Sequence, residues 1–144
     1  MKLSTKGRYG AKAMLDLAIH YSTGPVRVKD IAERQQISER YLEQLLISLK
    51  VAGMVRSIRG VHGGFALANP PSQTKLSEVI QAMEGSVAPV ECVDHPEVCP
   101  QANVCTTRNI WVEMAKATSG VLESITLQNL VEWQEGKEPV ILKQ

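Results

Sequence analysis

A chain of 144 residues, 44% of them hydrophobic, can fold around one core, or as one small domain with an appended helical arm. The formal net charge of +1 hides a division, since residues 1–75 hold 12 Lys and Arg against 5 Asp and Glu and residues 76–144 hold 4 against 10. The basic half suggests a polyanion partner, and the best candidate for membrane insertion, residues 13–19, is interrupted by Asp16 and falls far short of the roughly 20 residues a span needs. The positive charges near the N-terminus have no apolar signal segment behind them. A cytoplasmic protein is therefore expected.

Ser4 or Thr5 can cap a first helix whose positions Tyr9, Ala13, Leu15, Leu17, Ala18 and Tyr21 make a broad buried stripe, ended by Gly24-Pro25. A two-turn helix over 28–35 follows, with Ile31 and Ala32 inward. Ser38 caps a third helix that reaches about Ala52, with Tyr41, Leu42, Leu45, Leu46 and Leu49 at helical spacing and Gly53 just past its end. A short helix, a tight turn and a longer helix form a helix-turn-helix.

After Gly53 the period becomes alternating, and 55–59 and 65–67 read as two short strands joined through Gly60, Gly63 and Gly64. A β-hairpin directly after a recognition helix is a wing, here with Arg59 and His62 at its tip. Asn69-Pro70-Pro71-Ser72 breaks the chain, and a helix capped by Ser77, with Glu78 in its first turn, runs to Glu84 and stops at Gly85. The segment from Ser86 to Asn103 has no period. A long helix over 106–124 then carries Ile110, Met114, Ala117 and Val121 in steps of four and three, which makes a seam. The simplest use of such a seam is pairing with a second copy, the alternative being packing on the chain's own first half. Thr126 caps a last helix to Gln134, and the tail beyond Gly136 is expected to be loose.

The expected fold is mainly α: a winged helix-turn-helix with a small two-stranded β wing over 1–75, then a cysteine loop (86–105) and helices over 76–144, including a long C-terminal dimerisation helix. A recognition helix places its N-terminal residues in the major groove. With Leu42, Leu45, Leu46 and Leu49 inward, Glu39, Arg40, Glu43, Gln44 and Ile47 face outward. Arg40 suits phosphate or guanine, Gln44 adenine, and Glu43 the amino group of cytosine. Ser38 and Tyr41 can donate to phosphates, and Arg59 at the wing suits a narrow minor groove. For Glu39 alone, a surface charge pair is the better reading.

The three cysteines Cys92, Cys99 and Cys105 cannot form a closed set of disulfides, and free thiols are expected in a reducing compartment. Composition alone suggests three ordinary buried cysteines, but a proline-containing loop flanked by Asp94, His95 and Glu97 favours ligation. The spacing lacks the paired-cysteine knuckle of structural zinc sites, whereas thiolates suit an iron–sulfur cluster if one further ligand completes the set.

Met1-Lys-Leu-Ser-Thr-Lys-Gly-Arg-Tyr-Gly10, Tyr41-Leu-Glu-Gln-Leu-Leu46, Arg59-Gly-Val-His-Gly-Gly-Phe65 and Ile125-Thr-Leu-Gln-Asn-Leu130 resemble the IscR-like iron–sulfur cluster regulators across nearly the whole chain. The resemblance implies a dimeric winged-helix repressor or activator on a palindromic DNA operator, with a [2Fe-2S] or [4Fe-4S] cluster in the loop before the dimerisation helix. By position, Cys92, Cys99 and Cys105 match its cluster cysteines, and Tyr41, Glu43, Gln44 and Arg59 its DNA-contacting positions. One departure stands out: where the family places its cluster histidine, three residues after the third cysteine, this chain has Arg108. The carboxylate that some members use near position 8 is likewise an arginine. The fourth ligand is open among His95, Asp94, Glu97, Asn109 and an exogenous molecule. A cluster-free branch concerned with cysteine metabolism lacks the three cysteines.

The competing readings are a cluster-free or zinc-binding regulator of the same fold and a metal or cluster carrier docking on a protein partner. The wing and recognition helix favour a regulator. No nucleophile with a base, phosphate-cradling glycine loop or carboxylate pair points to an enzyme.

Overall fold

Ser4 starts the first helix as the sequence suggests, its Oγ accepting a hydrogen bond from the Gly7 amide, in a computed structural model that describes residues 2–136. Helix α1 spans Thr5–Ile19. It ends before the expected Gly24-Pro25 stop, because His20 turns its Nδ1 to within 2.8 Å of the Asp16 carbonyl oxygen and a 3-10 turn, Tyr21–Thr23, carries the chain to Gly24. Tyr21 is consequently exposed instead of completing the buried stripe.

Helix α2 spans Val28–Gln35 and closes at Gln36 in the left-handed conformation, and α3 spans Glu39–Val51. Strands β1 (Val55–Ile58) and β2 (Gly64–Leu67) pair antiparallel, with Val55 opposite Leu67 and Ile58 opposite Gly64. Val26 adds a rung on the other side of β2 by exchanging two backbone hydrogen bonds of 2.8 Å with Phe65. Glycine is required beside it at Gly64, where φ is 147° and a Cβ would press into the Val26 carbonyl.

Helix α4 spans Leu76–Glu84, and here the expected Ser77 cap is wrong: Ser77 lies inside the helix. Lys75 bridges to Thr126 and the Leu76 amide donates to the Ile125 carbonyl at 2.8 Å. This pairing holds residue 75 extended, so the helix begins directly after it. The Lys75 amide is satisfied by Glu78 Oε2 at 2.9 Å. Helix α5 spans Thr106–Ser124, and α6 spans Leu127–Gln134 with Thr126 and Asn129 capping it reciprocally.

Helix α1 runs through the middle of one core shared by Met14, Leu17, Ile31, Leu42, Leu45, Leu46, Leu49, Leu67, Val79 and Leu127. Gly10 lets α4 approach: a Cβ there would come within 2.6 Å of Met83 Cγ. Truncating a leucine at the centre of such packing costs about 2–5 kcal/mol. Helix α5, by contrast, buries no residue, and Ile110, Met114 and Val121 stand exposed along it. Among the described residues no helix is long and apolar enough to cross a membrane. The expectation of a loose tail beyond Gly136 lies outside the described residues.

Candidate nucleic-acid interface and cysteine loop

The orientation of α3 follows from its leucines. With Leu42, Leu45, Leu46 and Leu49 buried, Ser38, Arg40, Glu43 and Gln44 are left exposed at its start, and the Ser38 hydroxyl oxygen caps the helix by accepting from the Tyr41 amide at 3.2 Å. Tyr41 is half-buried. Its ring meets that of Tyr9 edge to face, with centroids 6.0 Å apart and planes at 76°. Lys12 and Arg8 lie over the Tyr9 ring at 5.5 and 5.9 Å.

Two cations on α1, which sequence reasoning did not single out as facing DNA, therefore stand beside the start of α3 through the Tyr9–Tyr41 contact. Their four-residue spacing on a helix whose opposite side holds Ala13 and Met14 is the signal that would have found them.

A second missed residue is Asp16, 1% exposed. Its carboxylate receives Arg34 Nε at 3.0 Å, Arg34 Nη2 at 2.8 Å and Gln35 Nε2 at 3.0 Å, with His20 Nδ1 3.4 Å away. Burial pushes this carboxyl up, but the hydrogen bonds from Arg34 and Gln35 and the guanidinium charge outweigh it and hold the group below the ordinary carboxylate value. The network locks α2 to α1 and so sets the platform on which α3 rests.

Arg59 directly follows β1 and is exposed, as are Val61 and His62 beside it at the wing tip. Lys50 near the end of α3 donates to the Ser57 hydroxyl on β1 at 2.8 Å, which fixes the wing against the helix. A second link runs from α4 to the start of α1. Glu84 accepts from the Ser4 amide at 2.8 Å, from the Ser4 hydroxyl and from the Gly7 amide at 3.2 Å, and these bonds, the Ser4 hydroxyl's first among them, hold its carboxyl below the ordinary value.

The loop after Gly85 contains two 3-10 turns, Glu91–Val93 and Pro96–Val98. Cys92, Cys99 and Cys105 are all free thiols and partly exposed. Cys105 is the N-cap of α5, 3.3 Å from the Thr107 hydroxyl, and that contact together with the Arg108 and Thr107 amides lowers its thiol below the ordinary value. Arg108 Nε donates to the Cys92 carbonyl at 3.0 Å. Of the side chains considered as a fourth ligand, Asp94 accepts from the Ser86 hydroxyl, and His95 Nδ1 sits 3.2 Å from Glu97 Oε1.

Among the described residues no group of three or more His, Cys, Asp or Glu side chains is gathered closely enough to hold a metal ion. The donor chemistry of three accessible thiols fits a thiophilic metal or cluster. The present loop conformation does not gather them.

A family model described as "Iron-dependent Transcriptional regulator" and named Rrf2 matches residues 3–133. The chain is 46% identical over 131 residues to Protein rrf2 of Nitratidesulfovibrio vulgaris strain Hildenborough, covering 91% of this chain and 87% of the relative. Its fold resembles the structure of CymR, the global cysteine regulator of B. subtilis, with a TM-score of 0.78 at 38% identity over 92% of this chain and 98% of that one. It also resembles T. potens IscR, with a TM-score of 0.75 at 40% identity over 95% and 89%.

Proposed function

The chain belongs to the Rrf2 family of transcriptional regulators, and from that premise we propose that it is a homodimeric DNA-binding regulator controlled by an iron–sulfur cluster on Cys92, Cys99 and Cys105. In this reading residues 1–75 bind a palindromic operator, with Ser38, Arg40, Tyr41, Glu43 and Gln44 at the major groove and Arg59 in the minor groove. Residues 76–144 supply the cluster loop and the dimer seam. The protein is a regulator and not an enzyme, in keeping with its relatives.

The observation that carries the cluster reading is the placement of the thiols. All three cysteines of the chain are unpaired in one loop, between the winged domain and a long helix that buries nothing of its own. When bound, a cluster supplies electron exchange and sensitivity to iron supply and oxidants. The chain's own residues do the rest: Cys105 lies at the start of α5, and the loop begins two residues after Glu84, which caps α1 beside the recognition helix. Loop order and α1 position are thereby linked.

Purification without air tests this. Brown protein with iron and sulfide, whose operator affinity changes when the cluster is removed, is the expected result. A second reading, a cluster-free regulator of this fold, is favoured by the ungathered thiols and by the 38% identity to CymR of Bacillus subtilis. Colourless, metal-free protein that binds an operator would establish it, and zinc without sulfide would identify a zinc form. The absence of a salt-dependent gel shift would point to a carrier instead, because phosphate contacts make the affinity of a DNA-binding protein fall steeply with salt.

A further inference from the structure

We propose that Ile47 is a base-reading residue of α3 whose contact is the C5-methyl group of thymine. This rests on the reading of α3 as the recognition helix. The outward line of α3 is polar at Arg40, Glu43 and Gln44 and then apolar at Ile47, which is 57% exposed and takes no part in the core. Helical spacing places Ile47 beside both Glu43 and Gln44, four and three residues on from them. At about 1.5 Å per residue it lies about 10 Å along the axis from Arg40, the rise of three base pairs at about 3.4 Å each.

Neither packing nor local structure accounts for an isoleucine at this place. β-Branched residues are slightly unfavourable in helices, because χ1 is held to one rotamer. That stiffness is an asset for reading shape, since the side chain enters a groove with little rotamer entropy left to lose. The thymine methyl is the one apolar group that the base edges present in the major groove. The neighbouring Gln44 has the donor and acceptor to pair with adenine, whose partner base carries that methyl. The wing is tied to the same helix just beyond Ile47, through Lys50 and Ser57, so a wing that meets the duplex would bring that end of α3 to it.

The test is binding to operators selected by the protein itself from random duplex DNA, then resynthesised with deoxyuridine in place of thymidine at single positions. Uracil keeps every hydrogen bond and lacks only the methyl. The wild type should lose about fourfold for a contacted methyl, the worth of one buried CH₂. Ile47→Ala should bind thymine and uracil operators equally, and Ile47→Val should retain part of the difference. Equal uracil penalties in wild type and Ile47→Ala overturn the proposal, as does the absence of any penalty in the wild type. A loss in Ile47→Ala that is the same on both operators and accompanies dissociation of the dimer would make Ile47 a protein contact and overturn it too. If no sequence is selected, or Gln44→Ala leaves selection unchanged, the reading of α3 itself fails, and the two failures are distinct.

Discussion

Arg108 donates its Nε–H to the carbonyl oxygen of Cys92 at 3.0 Å, tying the first turn of α5 to the turn that holds the first cysteine. A guanidinium does not ligate iron, so this position, where the family resemblance expects a histidine, serves here as a strut. A neutral imidazole there would add a donor three residues after Cys105. Arg108→His should therefore raise the iron retained per protomer after anaerobic gel filtration and slow the loss of visible absorbance in air. Unchanged retention would show that the fourth ligand comes from elsewhere.

Asp16 makes stability depend on acid. Its folded carboxyl titrates below the ordinary value of 3.8, so the ionised form stabilises the fold above that pH, and the contribution is lost as pH falls through the lowered folded value. Asp16→Asn should flatten the acid limb of a plot of Tm against pH. At neutral pH it should cost about 2 kcal/mol, below the roughly 3–5 typical of a broken buried pair, since Arg34 can turn to water. Parallel acid limbs in the two proteins would assign the sensitivity to other carboxylates.

The unburied seam of α5 predicts association. Val121→Glu and Met114→Glu place a charge on a face that lacks intrachain cover, and both should sediment as monomers at micromolar concentration while the fold of residues 2–84 is kept. Operator affinity should fall with them. A Val121→Glu protein that stays dimeric would place the interface on another surface.

Two variants on the DNA side should differ in kind. Arg59→Ala should reduce the slope of log affinity against log salt by about 1. Gln44→Ala should instead lose about 1–3 kcal/mol of discrimination at particular base pairs. A uniform loss across all sequences from Gln44→Ala would confine that residue to the backbone.

Most of the helices and the wing were legible because their cues are local. Leucine spacing in α3, Ser38 before it, glycines at the hairpin and Thr126 before α6 each act within a few residues of themselves. The links that organise the site are not local. Asp16 first appeared as a charge interrupting an apolar run, and its role depends on Arg34 and Gln35, 18 and 19 residues away. Ser77 looked like a cap because its residue type suits one, yet a bridge from Lys75 to Thr126 set the start of α4. Ligand-type residues in the loop were visible by spacing, but what gathers thiols is backbone conformation, and spacing carries none.

The bonds from Glu84 to Ser4 and Gly7 also bear on the order in which the protein assembles. The first turn of α1 is synthesised before the carboxylate that closes it, which follows 80 residues later along the chain beside Met83, which packs against Gly10. Such long closures are slow to form. A fragment ending at residue 75 would hold every DNA-facing side chain named above and yet lack the group that finishes its own first helix. Synthesis must reach the last residue of α4, at the threshold of the cysteine loop, before the DNA-binding half is complete.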